Sequence, residues 1–407
     1  MGSKDYLYDW RLVEFGSVLD GGTRNGIYKP KQFHGVGVKV INMGEIFAYP
    51  RLKSSIEMRR LRLSDDEIAR FDIQANDLLF ARRSLVAEGA GKCSIVLDAS
   101  EPLTFESSII RARPDLRIAI GPYLYYLFNS PLGIYLLGTI RRQVAVAGIT
   151  GSDLVKLEIP LPSLPEQRAI AAILGALDDK IELNRRMNRT LEGMAQALFK
   201  QWFVDGAEEG WEEKPLDEIA NYLNGLALQK FPAMEGAESL PVIKIAQLRK
   251  NSTEGADSAS ASIDPAYVVN DGDVLFSWSG SLEVVLWCGG KGALNQHLFK
   301  VTSQDYPKWF YYLWTRHHLP DFQQIAAGKA TTMGHIQRHH LRAALTSVPP
   351  KPKLEWMSEQ MTPLVERYIQ TALQSRTLAM LRDALLPKLI SGELRVKDAE
   401  AFIANAA

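Results

Sequence analysis

The chain has 407 residues, 46% of them apolar, which is enough for two or three domains with cores of their own. Lys plus Arg and Asp plus Glu are equal at 47 each, so net charge names no partner class; only local clusters such as Arg59/Arg60/Arg62, Arg82/Arg83, Arg111/Arg113/Arg117 and Arg316/His317/His318 are available to a polyanion. Cys93 and Cys288 stand alone, which excludes a disulfide framework and a cysteine zinc site and suits a reducing cytosol. Residues 1–5 show no apolar run of the secretory-leader kind, so a cytoplasmic location is expected.

A first module is expected over residues 1–162. It opens at Trp10 and turns at Asp20-Gly21-Gly22. Short apolar or alternating runs at 36–41, 77–80, 94–97 and 108–111 predict strands. Segment 122–140 carries no charge, but Asn129-Ser130-Pro131 and Gly133 interrupt it. Two short buried helices are therefore expected there, and no membrane span. A long helix follows over 163–204. Ser163 and Glu166 have the spacing of a capping box, and Gly206 is a fitting stop. Its seam reads Ile170, Leu174, Leu177, Ile181, Asn184, Asn188 and Leu191 at heptad spacing. The two Asn cost stability but pin register.

The second module is expected over 205–352, opening at Trp211 and closing at Pro349-Pro350. Its strand candidates are 241–245, 273–276, 284–287 and 298–301, and 251–262 reads as a mobile loop. A second long helix is expected over 353–396, with Leu364, Tyr368, Leu378 and Leu385 on its seam. Thr371 and Ser375 fall where Asn184 and Asn188 fall in the first helix. Pro387 is expected to kink or end it near Leu386, with Gly392 as cap. Residues 397–407 form a tail.

The two modules are copies. Asp77-Leu78-Leu79-Phe80 returns as Asp273-Val274-Leu275-Phe276, Tyr125-Tyr126-Leu127-Phe128 as Tyr311-Tyr312-Leu313-Trp314, and Glu166-Gln167 as Glu359-Gln360. A repeat this long is a duplicated module and not a solenoid. The expected fold is α+β: two similar modules, mainly β with peripheral helices, joined by an antiparallel pair of long coiled-coil helices. A helix of about 40 residues is roughly 60 Å long, and such a ruler is what two related binding modules need.

Motifs for chemistry are missing. Gln323 stands where a phosphate loop ending at Gly328-Lys329 needs glycine, and Val348-Pro349-Pro350-Lys351 is not an amino-methyltransferase signature. His335 and His339 sit at helical spacing without a third ligand. No nucleophile, base and orienter stand together. No catalytic residue and no metal ligand is therefore expected, and a binding role is favoured.

The duplicated module, each copy followed by prolines and a long helix, resembles the specificity subunit of type I restriction-modification systems. Pro162-Ser163-Leu164-Pro165-Glu166-Gln167 is similar to the start of that family's central helix, and Leu177-Asp178-Asp179-Lys180-Ile181 to its middle. Leu385-Leu386-Pro387-Lys388-Leu389-Ile390-Ser391-Gly392 is similar to its C-terminal helix end. Asp273-Val274-Leu275-Phe276-Ser277-Trp278 and Asn295-Gln296-His297-Leu298 resemble its target-recognition domains, where the first module has Arg82-Arg83 in place of Trp278-Ser279. The resemblance implies a chain without an active site. Each target-recognition domain would read one half of a bipartite double-stranded DNA site. The helices would set the unread spacer and seat two methyltransferase subunits, which two restriction subunits can join. S-adenosylmethionine, ATP and Mg would belong to those partners and not to this chain. A protein-binding scaffold and a stand-alone DNA-modifying enzyme are the alternative readings.

DNA contacts are expected from Arg, Lys, Asn, Gln and Ser on loops. In the first module these are Lys29, Lys31, Arg51, Lys53, Arg59, Arg82 and Arg83. In the second they are Lys230, Lys244, Ser277, Trp278, Lys329, Thr331, Thr332 and Arg338. Strand alternation is taken to turn Trp278 away from Phe276.

Overall fold

The first and last strands of each module pair with one another. Arg11–Glu14 runs antiparallel to Glu158–Leu161, with Arg11 opposite Leu161. Glu212–Pro215 does the same with Leu345–Val348, with Glu212 opposite Val348. Each closing strand leads straight into a long helix, Leu164–Phe199 or Lys351–Ser391. The computed structural model describes residues 10–142, 147–328 and 334–399. It divides into two units, Met1–Asp179 with Ala379–Ala407 and Lys180–Leu378, so each unit holds one module and a part of both long helices.

The sheets of the two units share one order. In the first it is Leu19–Asn25, Ile109–Pro114, Leu78–Ala81, Cys93–Val96 and Arg51–Leu52; in the second it is Asn221–Asn224, Leu298–Thr302, Val274–Ser277 and Val284–Leu286. The middle strands Leu78–Ala81 and Val274–Ser277 are buried at every residue, which is why residues 78–81 and 274–276 read as unbroken apolar runs. The duplicated Asp ahead of each closes a turn: Asp77 accepts from the Gln74 amide and Asp273 from the Asn270 amide, both at 2.8 Å. A second layer also recurs. His34–Ile41 lies parallel to Leu103–Phe105, and Ser239–Ile243 lies parallel to Gly292–Leu294. Aromatic rings fill the cores. Phe15, Phe80 and Phe128 meet edge-on in the first unit, as Phe203, Phe310 and Trp314 do in the second.

Segment 122–140 forms two short helices, Gly121–Asn129 and Pro131–Thr139. Ser130 ends one and caps the next, accepting from the Gly133 amide at 3.2 Å. The second is not fully buried, since Ile134 and Tyr135 are exposed. The expected loop over 251–262 contains a strand, Ser258–Ser260, paired with Ser239–Pro241. Short helices Met43–Ala48, Asp65–Arg70 and Ile245–Lys250 were hidden from periodicity because each is less than two turns long.

The long helices depart from expectation at three points. The central helix gains a π turn, Lys200–Val204, ahead of Gly206. Its capping box is half formed: the Glu166 amide reaches Ser163 Oγ at 3.4 Å, but the Glu166 carboxylate pairs with Arg395 at 2.9 Å. Pro387 does not end the C-terminal helix, which runs to Ser391 before Gly392 turns it at φ 74°. A proline inside a helix costs about 3 kcal/mol. Leu385, Leu386, Leu389 and Ile390 are all buried around it, and each such side chain contributes about 1.5–3 kcal/mol, so burial wins.

Within each unit the long helices pair antiparallel. In the first, Glu166 meets Arg395 and Asp178 meets Arg382 at 2.7 Å. In the second, Asn184 Nδ2 donates to Gln374 Oε1 at 2.9 Å and Thr371 donates to Asn188. The expected seam is buried at Ile170, Leu174, Leu177, Ile181, Asn184 and Leu385 and half-buried at Asn188, Leu191, Leu364, Tyr368 and Leu378. The same helices pack on the second module through Phe199, Trp202, Met357 and Met361. One correction concerns the repeat itself. Measured from the closing strands, Gln167 corresponds to Leu354, because Leu161 and Val348 are equivalent. Glu359-Gln360 therefore lies further along its helix and is exposed.

Candidate nucleic-acid interface

Where the middle strand leaves the sheet, the two units share a backbone pattern atom for atom. In the first, the Arg82 amide donates to Ser108 O at 2.8 Å and the Ile149 amide donates to Arg82 O at 3.0 Å. In the second, the Trp278 amide donates to His297 O at 3.3 Å and the Ile336 amide donates to Trp278 O at 3.0 Å. One residue on, Arg83 pairs with Gly148 and Ser279 with His335. Across the neighbouring strand, Asn25 stands opposite Ile110 and Asn224 opposite Phe299. A glycine follows each Asn for a steric reason. A Cβ on Gly26 would lie 2.2 Å from Glu106 O, and one on Gly225 2.2 Å from Asn295 O.

Asn25, Asn224, Arg83 and Ser108 lie at or near the surface of these edges, and Trp278 is half-buried. The indole N–H of Trp278 donates to Asn224 Oδ1 at 2.8 Å, and Ser279 Oγ is 2.9 Å from His297 Nδ1. The Trp278 ring packs against Phe299 and meets His335 edge-on. This corrects the expected orientation: Trp278 lies on the Phe276 side, because residues two apart on a strand share a face. The repeated Asn-Gly, at 25–26 and 224–225, was the sequence signal for Asn25 and Asn224; His297 lay inside the Asn295-Gln296-His297-Leu298 motif without standing out as a contact, and Ser108 gave no signal.

Several expected DNA contacts are engaged within the fold. Ser277 is 0% exposed. Its hydroxyl donates to Ser281 O at 2.7 Å and accepts from the Glu283 amide at 2.8 Å, so it braces a turn and cannot face a ligand. Arg51 pairs with Asp179 at 2.6 Å. Burial works against its charge, but the hydrogen bond to Asp179 and the surrounding Tyr126 and Asp178 together offset that, and the guanidinium is held above its ordinary value. Lys29 pairs with Glu67 at 2.6 Å, and that hydrogen bond holds the Glu67 carboxyl below its usual range. Lys244 pairs with Asp257. Arg338 donates to Tyr222 O at 3.2 Å and lies over Phe299, while remaining exposed. Lys31, Arg59, Arg83 and Lys230 are exposed; Lys53 and Arg82 are half-buried. Lys329, Thr331 and Thr332 lie outside the described residues.

A model of the type I restriction modification DNA specificity domain matches the chain twice, over residues 9–193 and 208–374. The chain belongs to the type I restriction-modification specificity family. The MjaIX specificity subunit of Methanocaldococcus jannaschii is 26% identical over 421 aligned residues, covering 96% of this chain and 94% of that one. The EcoKI specificity subunit of Escherichia coli is 26% identical over 238 residues, 56% of this chain and 50% of its own. Among solved structures, a type I restriction-modification S subunit from M. genitalium shares the fold, with a TM-score of 0.56 and 14% identity over 96% of this chain and 98% of that one. Like that fold, this specificity chain is α+β, with two similar domains and long helices between and after them. No helix among its described residues is long and apolar enough to cross a membrane.

Proposed function

We propose that this chain is the non-catalytic DNA-specificity subunit of a type I restriction-modification enzyme, each of its two domains reading one half of a bipartite double-stranded site. The observation that carries this is the repeated edge: one backbone framework, present in both copies of a DNA specificity domain, displaying different side chains. A scaffold that bound one partner twice would keep those side chains alike. The long antiparallel helices set the unread spacer between half-sites, and two methyltransferase subunits dock on them. S-adenosylmethionine, and the ATP and Mg that restriction subunits use, belong to those partners. The setting is the cytoplasm. Arg82, Arg83 and Trp278 are the contacts best supported by position, with Lys31, Lys53, Arg59, Lys230 and Arg338 as further candidates and Lys329, Thr331 and Thr332 as candidates from sequence alone.

The test is binding of the subunit, assembled with its methyltransferase partners, to random duplex DNA across a salt series. Log affinity should fall linearly with log salt, by about 0.9 per phosphate neutralised. The subunit without partners should show no methyl transfer. A complex that ignores DNA at low salt would return the reading to a protein scaffold, and turnover by the lone chain would make it an enzyme.

A further inference from the structure

The two domains offer one backbone edge to two chemistries. Arg82 stands where Trp278 stands, Arg83 where Ser279 does, and Ser108 where His297 does, while Asn25 and Asn224 are alike. No carboxylate occupies any of these positions. In a duplicated reader, a buried frame that is kept and a surface that diverges separate support from recognition.

We infer that this edge is the base-reading surface of each domain, and that the first domain reads guanine through an arginine guanidinium while the second reads an A·T pair through an indole, amide and imidazole cluster. The inference rests on the proposed function and assigns the bases to particular residues. Guanidinium groups carry only donors, and guanine presents two acceptors, O6 and N7, to the major groove. Arg83, exposed at the strand end, supplies such donors without a carboxylate among the equivalent positions, while Arg82 beside it is half-buried and donates to Ser107 O at 3.4 Å. In the second domain the indole N–H can only donate, so the Asn224 amide must turn its oxygen to Trp278. That fixes the side chain. The amide NH2 and the second lone pair of the oxygen remain, a donor beside an acceptor, which is the pattern that pairs with adenine. The indole face beside it is an apolar platform of the kind a thymine methyl or a base ring packs on.

The experiment uses the complete complex with its methyltransferase subunits and a panel of duplexes in which each position of the wild-type site is changed in turn. The double variant Arg82→Ala with Arg83→Ala should lose discrimination at guanine in one half-site only, by roughly ten-fold to a hundred-fold in relative affinity. Asn224→Ala should lose a similar factor at an A·T pair in the other half-site only. Arg83→Lys keeps the charge and loses the fork, so salt dependence should be retained while guanine discrimination falls. His297→Asn, which removes the imidazole that Ser279 Oγ and the Trp278 ring meet, should also relax the second half-site. Retention of normal discrimination by the Arg82/Arg83 and Asn224 variants would overturn the inference, as would loss at A·T in the first case or at guanine in the second. A wild-type complex with no preferred bipartite site would instead remove the proposed function.

Discussion

Gln167 is 0% exposed and ties three backbone groups together. Its Oε1 accepts from the Ile120 amide at 3.0 Å, and its Nε2 donates to Ile118 O at 3.1 Å and Pro162 O at 2.9 Å. The equivalent Leu354 in the other copy is buried in an aromatic and aliphatic core instead. Gln167→Leu should therefore destabilise the first unit by about 3 kcal/mol or more, because three buried or partly buried backbone groups lose this partner at about 1–3 kcal/mol each. Urea unfolding of the two proteins should show it as a shift in midpoint; an unchanged midpoint would mean the cluster is hydrated. Residue-scale function was only partly legible. A sequence displays a cation but not the carboxylate that folds onto it. Arg51 meets Asp179 across 128 positions, while Lys29 meets Glu67 and Lys244 meets Asp257 after shorter separations. Ser277 failed for a related reason: its hydroxyl is consumed by a turn four to six residues on. Arg83 needed no such knowledge, since it leaves the strand on the exposed side.

Elements were legible where period or punctuation was strong. The long helices declared themselves through heptads, and Asn129-Ser130-Pro131 through its break. Pro387 misled because propensity is local, whereas the four buried side chains around it are tertiary. The Glu-Gln pairs misled because a dipeptide can recur without being equivalent; the closing strands, not the motif, set the alignment. At this scale the C-terminal helix is clamped to the second module by Arg376, which grips Asp271 with two hydrogen bonds of 2.7 Å while the Gly290 amide adds a third at 2.8 Å. Burial pushes the Asp271 carboxyl up, but Arg376 and Gly290 together bring it below its ordinary value. A lowered folded pKa gives stability that is present above the unfolded value, about 3.9 for Asp, and lost as pH falls through the folded one. Asp271→Asn should cost about 1–2 kcal/mol at pH 7, and the deficit should shrink below about pH 4. Tryptophan fluorescence is the fitting probe, since seven of the eight Trp lie in the second unit. A deficit equal at pH 7 and pH 3 would deny the carboxylate this role.

At the scale of the whole molecule, duplication explains what single sites do not. Both domains keep the same sheet order, the same closing strands and the same Asp-closed turn ahead of the middle strand. They differ where the middle strand emerges. Net neutrality fits this design, because cations such as Arg51, Arg113 and Arg376 are spent on internal pairs and DNA affinity is left to local edges. The central claim is that each domain reads independently. Its most direct measurement is long-read methylation sequencing of cells whose complex carries the second domain exchanged for that of a related specificity subunit. The account predicts a new methylated motif with one half-site replaced and the other unchanged. A motif altered in both halves, or in neither, would contradict it.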